Sequence, residues 1–178
     1  TNSEQPIGNG IGPALELIDI VKILDPEKNS QGPKDLEEKS VFLAGELLEM
    51  TGKAKKGKGK QLAKEILDSG KAFKKFEQII KAQSGSLKKL RYGKYKFDIR
   101  SKKSGTIYEI HNKKINSWAR LAGCPADKFA GLYIYVYLGN KLKKGDKIVT
   151  IYAESKSRLK EAVKYYYKEK PIKMRWIY

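Results

Sequence analysis

The spacing of apolar residues along this chain changes period near residue 86. Before that point they recur every three or four positions, the mark of helices with one buried stripe. Leu15, Ile18, Val21 and Leu24 predict a helix over 14–24, ended by Asp25-Pro26 because proline disfavours helical backbone in the residue before it. Gly32-Pro33 resets the chain, and Leu36, Leu43, Leu47 and Met50 predict a second helix over 36–50. A third is expected over 61–67. After Ser69-Gly70 comes a fourth, over 72–82, with Phe73, Phe76, Ile79 and Ile80 marking its buried face. Four short helices enclose only a thin core, so they read as the flank of a sheet whose strands lie partly outside this chain.

After Ser84-Gly85-Ser86 the period becomes two. Tyr95, Phe97 and Ile99 alternate with polar residues, and Ile107 and Ile110 sit in GTIYEIH, so both stretches predict strands. Asn112 is the expected N-cap of a helix carrying Ile115, Trp118, Ala119 and Leu121 up to Gly123, where glycine stops it. LYIYVYL (132–138) and KIVTIYA (147–153), joined through GNKLKKGD, predict a hairpin. A helix over about 155–168 is broken by Pro171, and IKMRWIY closes the chain as a strand. The second half is thus an α+β unit of mixed strands with two helices.

At 178 residues and 40% hydrophobic content, the chain has room for one ordinary domain or two small ones with a real core. No stretch approaches the ~20 apolar residues of a membrane helix. The single cysteine, Cys124, cannot form an internal disulfide, which fits a reducing compartment and predicts a cytoplasmic protein. The start at Thr1, with no methionine and no basic-then-apolar leader, predicts a processed piece that lacks part of its own active site.

The formal charge of +18 raises the alternative of a basic nucleic-acid-binding module, which predicts salt-sensitive binding of polynucleotides. Of the 38 basic residues, however, only five are arginine, the residue on which specific phosphate and base recognition leans. The lysines also spread along the chain from Lys22 to Lys173, so the charge reads as a solvated surface with no specific nucleic-acid partner. The one concentrated run, KAKKGKGK at 53–60, alternates lysine with glycine and alanine and predicts a flexible loop.

No catalytic constellation emerges from residue types. The lone His111 lies at a strand end with no partner at metal-ligand spacing, which assigns it a structural or surface place. Cys124, before Pro125, has no nominated base and reads as inert. Tyr133, Tyr135, Tyr137, Tyr152, Tyr165, Tyr166 and Tyr167 suit a half-buried sheet face or a self-association surface better than base stacking. YLGNKLKKGDKIVTIYA is similar to the hairpins of biotinyl and lipoyl carrier domains, but no exposed lysine stands in a tight hairpin of the type a carrier needs; Lys128 lies in a loop after a helix.

Three blocks in order resemble the thymidine and pyrimidine-nucleoside phosphorylase family. TNSEQPIGNGIGPALE is similar to its T-D-M-x-Q-P-L-G…G-N-A-L-E segment. The form with I-G-P-A-L-E and Asp19 is most like that of archaeal AMP phosphorylases. DSGKAFKKFEQIIKAQSG (68–85) resembles S-G-x-A-x-x-K-F-x-x-I-I-x-A-Q-x-G, and residues 115–155, ending KKGDKIVTIYAES, resemble the family's A-R-x-A-G…K-K-G-D-P-L-x-T-I-Y-A-E-S block.

The resemblance implies a phosphorylase, a pentosyltransferase that uses phosphate to displace a base from C1′ of a nucleoside or of AMP. It implies a helical segment over 1–86 that flanks a central α/β domain, followed over 87–178 by a C-terminal α/β-hammerhead domain. The family's phosphate cradle, K-x-S-x-G-G-V-G-D, is absent here, so no catalytic residue is assigned to this chain, which is expected to be inactive alone. Phosphate and nucleoside or AMP are expected to bind through the upstream part, with no membrane partner and with homo-oligomer formation through tyrosine-bearing edges.

The resemblance also implies an incomplete site for a monovalent cation, potassium, held by the carbonyls of Ile7 and Gly10 and the carboxylate of Asp19. Relatives carry Glu at the position of Asp19 and Ala at that of Gly10. The alternative is that the glycines only let the helix start close to the sheet, with Asp19 a solvated helix position.

Overall fold

The computed structural model describes residues 4–28 and 31–176; the opening Thr1, Asn2 and Ser3, and Ile177 and Tyr178 of the expected terminal strand, lie outside the described residues. The chain forms two compact units. One comprises residues 1–17 with 91–178, the other residues 18–90. By compactness, then, the opening residues go with the second half of the chain.

In the first unit, β1 (Gly10–Ile11), β4 (Gly131–Ile134), β6 (Lys147–Ala153) and β2 (Tyr95–Arg100) form one sheet in the order β1-β4-β6-β2. A second sheet has the order β5-β3-β7, from β3 (Gly105–Ile110), β5 (Lys141–Leu142) and β7 (Ile172–Trp176). Among the described residues, the pairings within both sheets are antiparallel. β6 is an interior strand, and its run of buried residues reflects cover on both faces.

Two helices pack on these sheets. In α5 (Asn112–Ala122), Ile115, Trp118, Ala119 and Ala122 share one buried stripe, and Gly123 ends the helix at a φ of 124°. In α6 (Lys156–Glu169), Ser155 caps the start by accepting from the Arg158 amide at 3.3 Å. The core joins Ile99, Ile107, Trp118, Leu132, Val149 and Ile151, and the Trp118 indole donates to the Ala162 carbonyl at 2.8 Å.

Two expectations are corrected here. Asn112 is the first helical residue rather than the cap; His111 holds that position, without a side-chain hydrogen bond. The expected strand 132–138 stops at Ile134, although it pairs with β6 as predicted. Asn140 is the reason: its Oδ1 accepts from the Tyr137 amide at 2.8 Å. The turn brings the Gly139 amide to the Ile107 carbonyl at 2.8 Å, which delivers β5 to the second sheet.

In the second unit, the end of α1 (Pro13–Leu24) is followed by α2 (Lys34–Met50), α3 (Gly59–Asp68) and α4 (Lys71–Ala82), with a short 3-10 turn at Leu87–Lys89. Among the described residues, the buried apolar core of this unit is Ile23, Val41, Ala63 and Leu67. The apolar stripes that periodicity marks on two helices are not buried within this unit. α2 turns Glu37, Val41 and Gly45 inward while Leu43, Leu47 and Met50 stand exposed, and α4 buries none of its residues, leaving Ile79 47% exposed. The stripes exist, but the elements of this unit are too few to cover them.

Glu37, 6% exposed, is held by Lys34 at 2.8 Å and Lys64 at 3.0 Å. Burial pushes its carboxyl up, but the hydrogen bonds from Lys34 and Lys64 outweigh this and keep it below the usual carboxylate range.

Candidate functional site

The opening loop is built onto the sheet of the first unit by side-chain amides. The Asn9 carbonyl accepts from the Ile134 amide at 2.8 Å, and its side-chain Nδ2 donates to the Ile134 carbonyl at 2.8 Å. Tyr137 Oη donates to Asn9 Oδ1, also at 2.8 Å, and Gln5 Oε1 accepts from the Leu138 amide at 2.8 Å. β1 then continues the edge, with Gly10 opposite Tyr133 and Ile11 opposite Leu132. Gln5 and Asn9 are functional to the loop's shape, yet no local pattern marks them, because their partners lie more than a hundred residues away.

Gly10 is buried, and a side chain there would press into the Leu15 carbonyl and stand 2.9 Å from the Glu16 amide nitrogen. The glycine therefore lets the first turn of α1 come against the strand, as one of the two readings expected. Glu16 closes that turn by accepting from the Gly12 amide at 3.0 Å, a carboxylate at the positive end of a helix. Ile7 lies in the loop and is 49% exposed. Asp19 stands on α1 and is 1% exposed, which overturns the reading of a solvated helix position. Carbonyl and carboxylate oxygens are the donor chemistry that hard cations take. Among the described residues no three or more His, Cys, Asp or Glu side chains cluster to hold a metal.

Other singled-out residues find structural places. The His111 amide donates to the Pro171 carbonyl at 2.9 Å, and its carbonyl starts the α5 hydrogen-bond ladder. Burial, and secondarily Glu16, push the Cys124 thiol up, away from the thiolate form. Tyr133 and Tyr152 are largely buried. Tyr133 meets Tyr135 at 5.1 Å between ring centroids, and Tyr152 stacks on Tyr92 at 4.8 Å, so the rings pack against one another. Thr150 Oγ1 donates to Asp98 Oδ1 at 2.7 Å on the same strand pair, and this bond is the main cause that lowers the Asp98 carboxyl.

The lysine run 53–60, expected to be flexible, has a defined backbone. Glu49 Oε2 accepts from the Gly57 amide at 2.9 Å and Oε1 from the Gly59 amide at 2.8 Å, so one carboxylate spans the loop. No helix among the described residues is long and apolar enough to cross a membrane.

With that geometry in hand, sequence comparison locates the chain. Residues 106–173 match the family model of the pyrimidine nucleoside phosphorylase C-terminal domain. Those residues carry that domain. The match runs from β3 through α5, β4, β5, β6 and α6 to the start of β7, the region built around Trp118 and the β4–β6 pairing.

Relatives named AMP phosphorylase extend the likeness over nearly all of the chain. The protein from Methanococcus aeolicus is 46% identical over 177 residues, 98% of this chain and 35% of the relative. That from Methanocaldococcus jannaschii is 48% identical over 167 residues, 92% of this chain and 33% of the relative. That from Pyrococcus horikoshii is 43% identical over 178 residues, 98% of this chain and 35% of the relative. The chain spans about a third of the length of these curated relatives, and it corresponds to their C-terminal part.

Proposed function

We propose that the protein to which this chain belongs is a phosphorylase of AMP, and that the chain supplies scaffolding to it rather than reacting groups. The observation that carries the reading is identity of 40–48% to archaeal relatives of that name, sustained through nearly the whole of this chain. In the reaction an oxygen of inorganic phosphate bonds to C1′ of the ribose as the bond from C1′ to adenine N9 breaks. Ribose 1,5-bisphosphate and adenine result, and the departing base takes up a proton. Water competes with phosphate for the oxocarbenium-like centre, so a catalyst has to exclude it. None of these steps is assigned to a residue of this chain.

A second reading, phosphorolysis of thymidine or uridine, draws its support from the family description, which is that of pyrimidine nucleoside phosphorylases. Incubating the full-length protein with phosphate and each of AMP, thymidine and uridine, with chromatography of the released bases, separates the two. Adenine from AMP favours the first reading and thymine or uracil the second.

The same reading includes a cytoplasmic homo-oligomer and a potassium ion held by the carbonyls of Ile7 and Gly10 and by Asp19. The likeness of the opening block to the family's cation-binding segment, with carbonyl and carboxylate oxygens as the donor types, supports the cation. When bound, such an ion would fix the opening loop electrostatically. Thermal unfolding of the full-length protein in potassium chloride against lithium chloride at equal ionic strength probes it. A higher midpoint in potassium that disappears in Asp19→Asn is expected; equal midpoints in the wild type contradict the assignment.

A further inference from the structure

The loop before α1 is pinned at two points, both on the end of β4 and the stretch that follows it. At one end Gln5 Oε1 accepts from the Leu138 amide at 2.8 Å. At the other, Asn9 engages Ile134 through its main-chain carbonyl and its side-chain amide, and Tyr137 Oη donates to Asn9 Oδ1, each bond at 2.8 Å. Pro6, Ile7 and Gly8 span the interval, with Gly8 at a φ of 73°, in the left-handed region that favours glycine.

Tyr137 is itself fixed from behind. The Tyr135 amide donates to the Ile148 carbonyl of β6 at 2.9 Å, and the Tyr137 amide donates to Asn140 Oδ1 at 2.8 Å. The same turn sends the Gly139 amide to the Ile107 carbonyl of β3 at 2.8 Å. The hydroxyl that holds Asn9 therefore stands on backbone tied to both sheets.

What these bonds decide is register. β1 is an edge strand of two residues, too short to fix its own pairing. In an extended segment the carbonyls of successive residues point to opposite sides, so that only alternate ones face the paired strand. Asn9 spends its carbonyl on the Ile134 amide, so the Gly10 carbonyl turns the other way, away from β4. A slip of one residue would exchange them, and the Gly10 carbonyl is one of the oxygens assigned above to potassium.

We propose that Asn9 and Tyr137 are positioning residues for that ion. Their hydrogen bond sets the register of the opening loop and thereby aims the carbonyls of Ile7 and Gly10; neither side chain is itself a ligand. The inference rests on the potassium assignment made above. When a binding conformation is only partly populated, the apparent affinity falls by the populated fraction. Removing the Tyr137 hydroxyl lowers that fraction, by about three- to tenfold for the net contribution of one hydrogen bond.

In the test, potassium chloride replaces lithium chloride stepwise at constant ionic strength, and the thermal unfolding midpoint of the full-length protein is followed at each ratio. Tyr137→Phe removes the hydroxyl and keeps the ring. Its potassium concentration for half of the midpoint rise should lie about three- to tenfold above that of the wild type. A hydroxyl that only stabilises the fold would lower the midpoint at every ratio and leave the half-effect concentration where it was, which overturns the proposal. A wild-type midpoint that ignores potassium overturns it as well, through the cation assignment, and the wild-type curve alone tells the two failures apart.

Gln5→Ala releases the other pin and is read by the same titration, so it decides the matter where Tyr137→Phe does not unfold cooperatively. A shift of the half-effect concentration in the same direction is expected. An unshifted value, with the wild type responding to potassium, contradicts the proposal.

Discussion

Gly45 and Gly59 meet backbone to backbone where α2 crosses α3: a methyl group on Gly59 would run into the Gly45 carbonyl oxygen, and one on Gly45 would stand 2.6 Å from the Lys60 amide nitrogen. This contact lets Val41, Ala63 and Leu67 reach one another. Gly45→Ala is therefore expected to destabilise the full-length protein by about 1–3 kcal/mol, the cost of overpacking at a site that cannot yield. Urea unfolding measures it, and an unchanged midpoint contradicts the contact.

The carboxylate of Glu49 shapes the lysine loop, taking both the Gly57 and Gly59 amides. Glu49→Ala leaves those donors to water. Trypsin should then cut between Lys53 and Lys60 faster in the variant than in the wild type, with the cleaved bonds read by mass spectrometry. Equal cutting rates mean that the loop is not held this way.

Arg91 and Glu154 form a two-pronged ion pair, with Nη1 and Nη2 each 2.9 Å from a carboxylate oxygen, and Glu154 Oε1 also accepts from the Lys94 amide. The Arg91 guanidinium is the chief cause that brings the Glu154 carboxyl down to about 2, from an ordinary 4.5. The folded value is the lower one, so the pair contributes stability in full above the unfolded value and loses it as pH falls through that interval towards the folded one. Glu154→Gln should lower the urea midpoint near neutral pH and flatten its fall with acidification between about pH 5 and pH 2. A variant that loses stability in acid as steeply as the wild type contradicts this.

Trp118 is fully buried and gives its indole proton to the Ala162 carbonyl at 2.8 Å, tying α5 to α6. Trp118→Phe removes this hydrogen bond between the helices and opens a gap in the core. A loss of about 1–3 kcal/mol is expected in urea unfolding.

Where local chemistry decides the structure, the sequence was a good guide. Ser155 at the start of α6, Gly123 at the end of α5 and the alternation through Tyr95, Phe97 and Ile99 need no distant partner to be read. The diversion of β5 was not legible, because it depends on Gly139 finding the Ile107 carbonyl across the chain. The loop anchors Gln5 and Asn9 escaped for the same reason.

α2 and α4 failed in a different way. Periodicity correctly found the apolar stripes at Leu43, Leu47 and Met50 and at Phe73, Phe76, Ile79 and Ile80, but a stripe says that a face is meant to be covered and not by what. At the candidate cation site, the identity of Asp19 was readable from the family pattern, whereas its burial required the fold.

The most direct measurement of the central claim follows phosphorus. In a 31P spectrum of the full-length protein with AMP and inorganic phosphate, the signals of ribose 1,5-bisphosphate should grow as AMP and phosphate decline together, in step with free adenine. Adenine released alongside ribose 5-phosphate, with inorganic phosphate unconsumed, would mean hydrolysis and would contradict the phosphorylase reading.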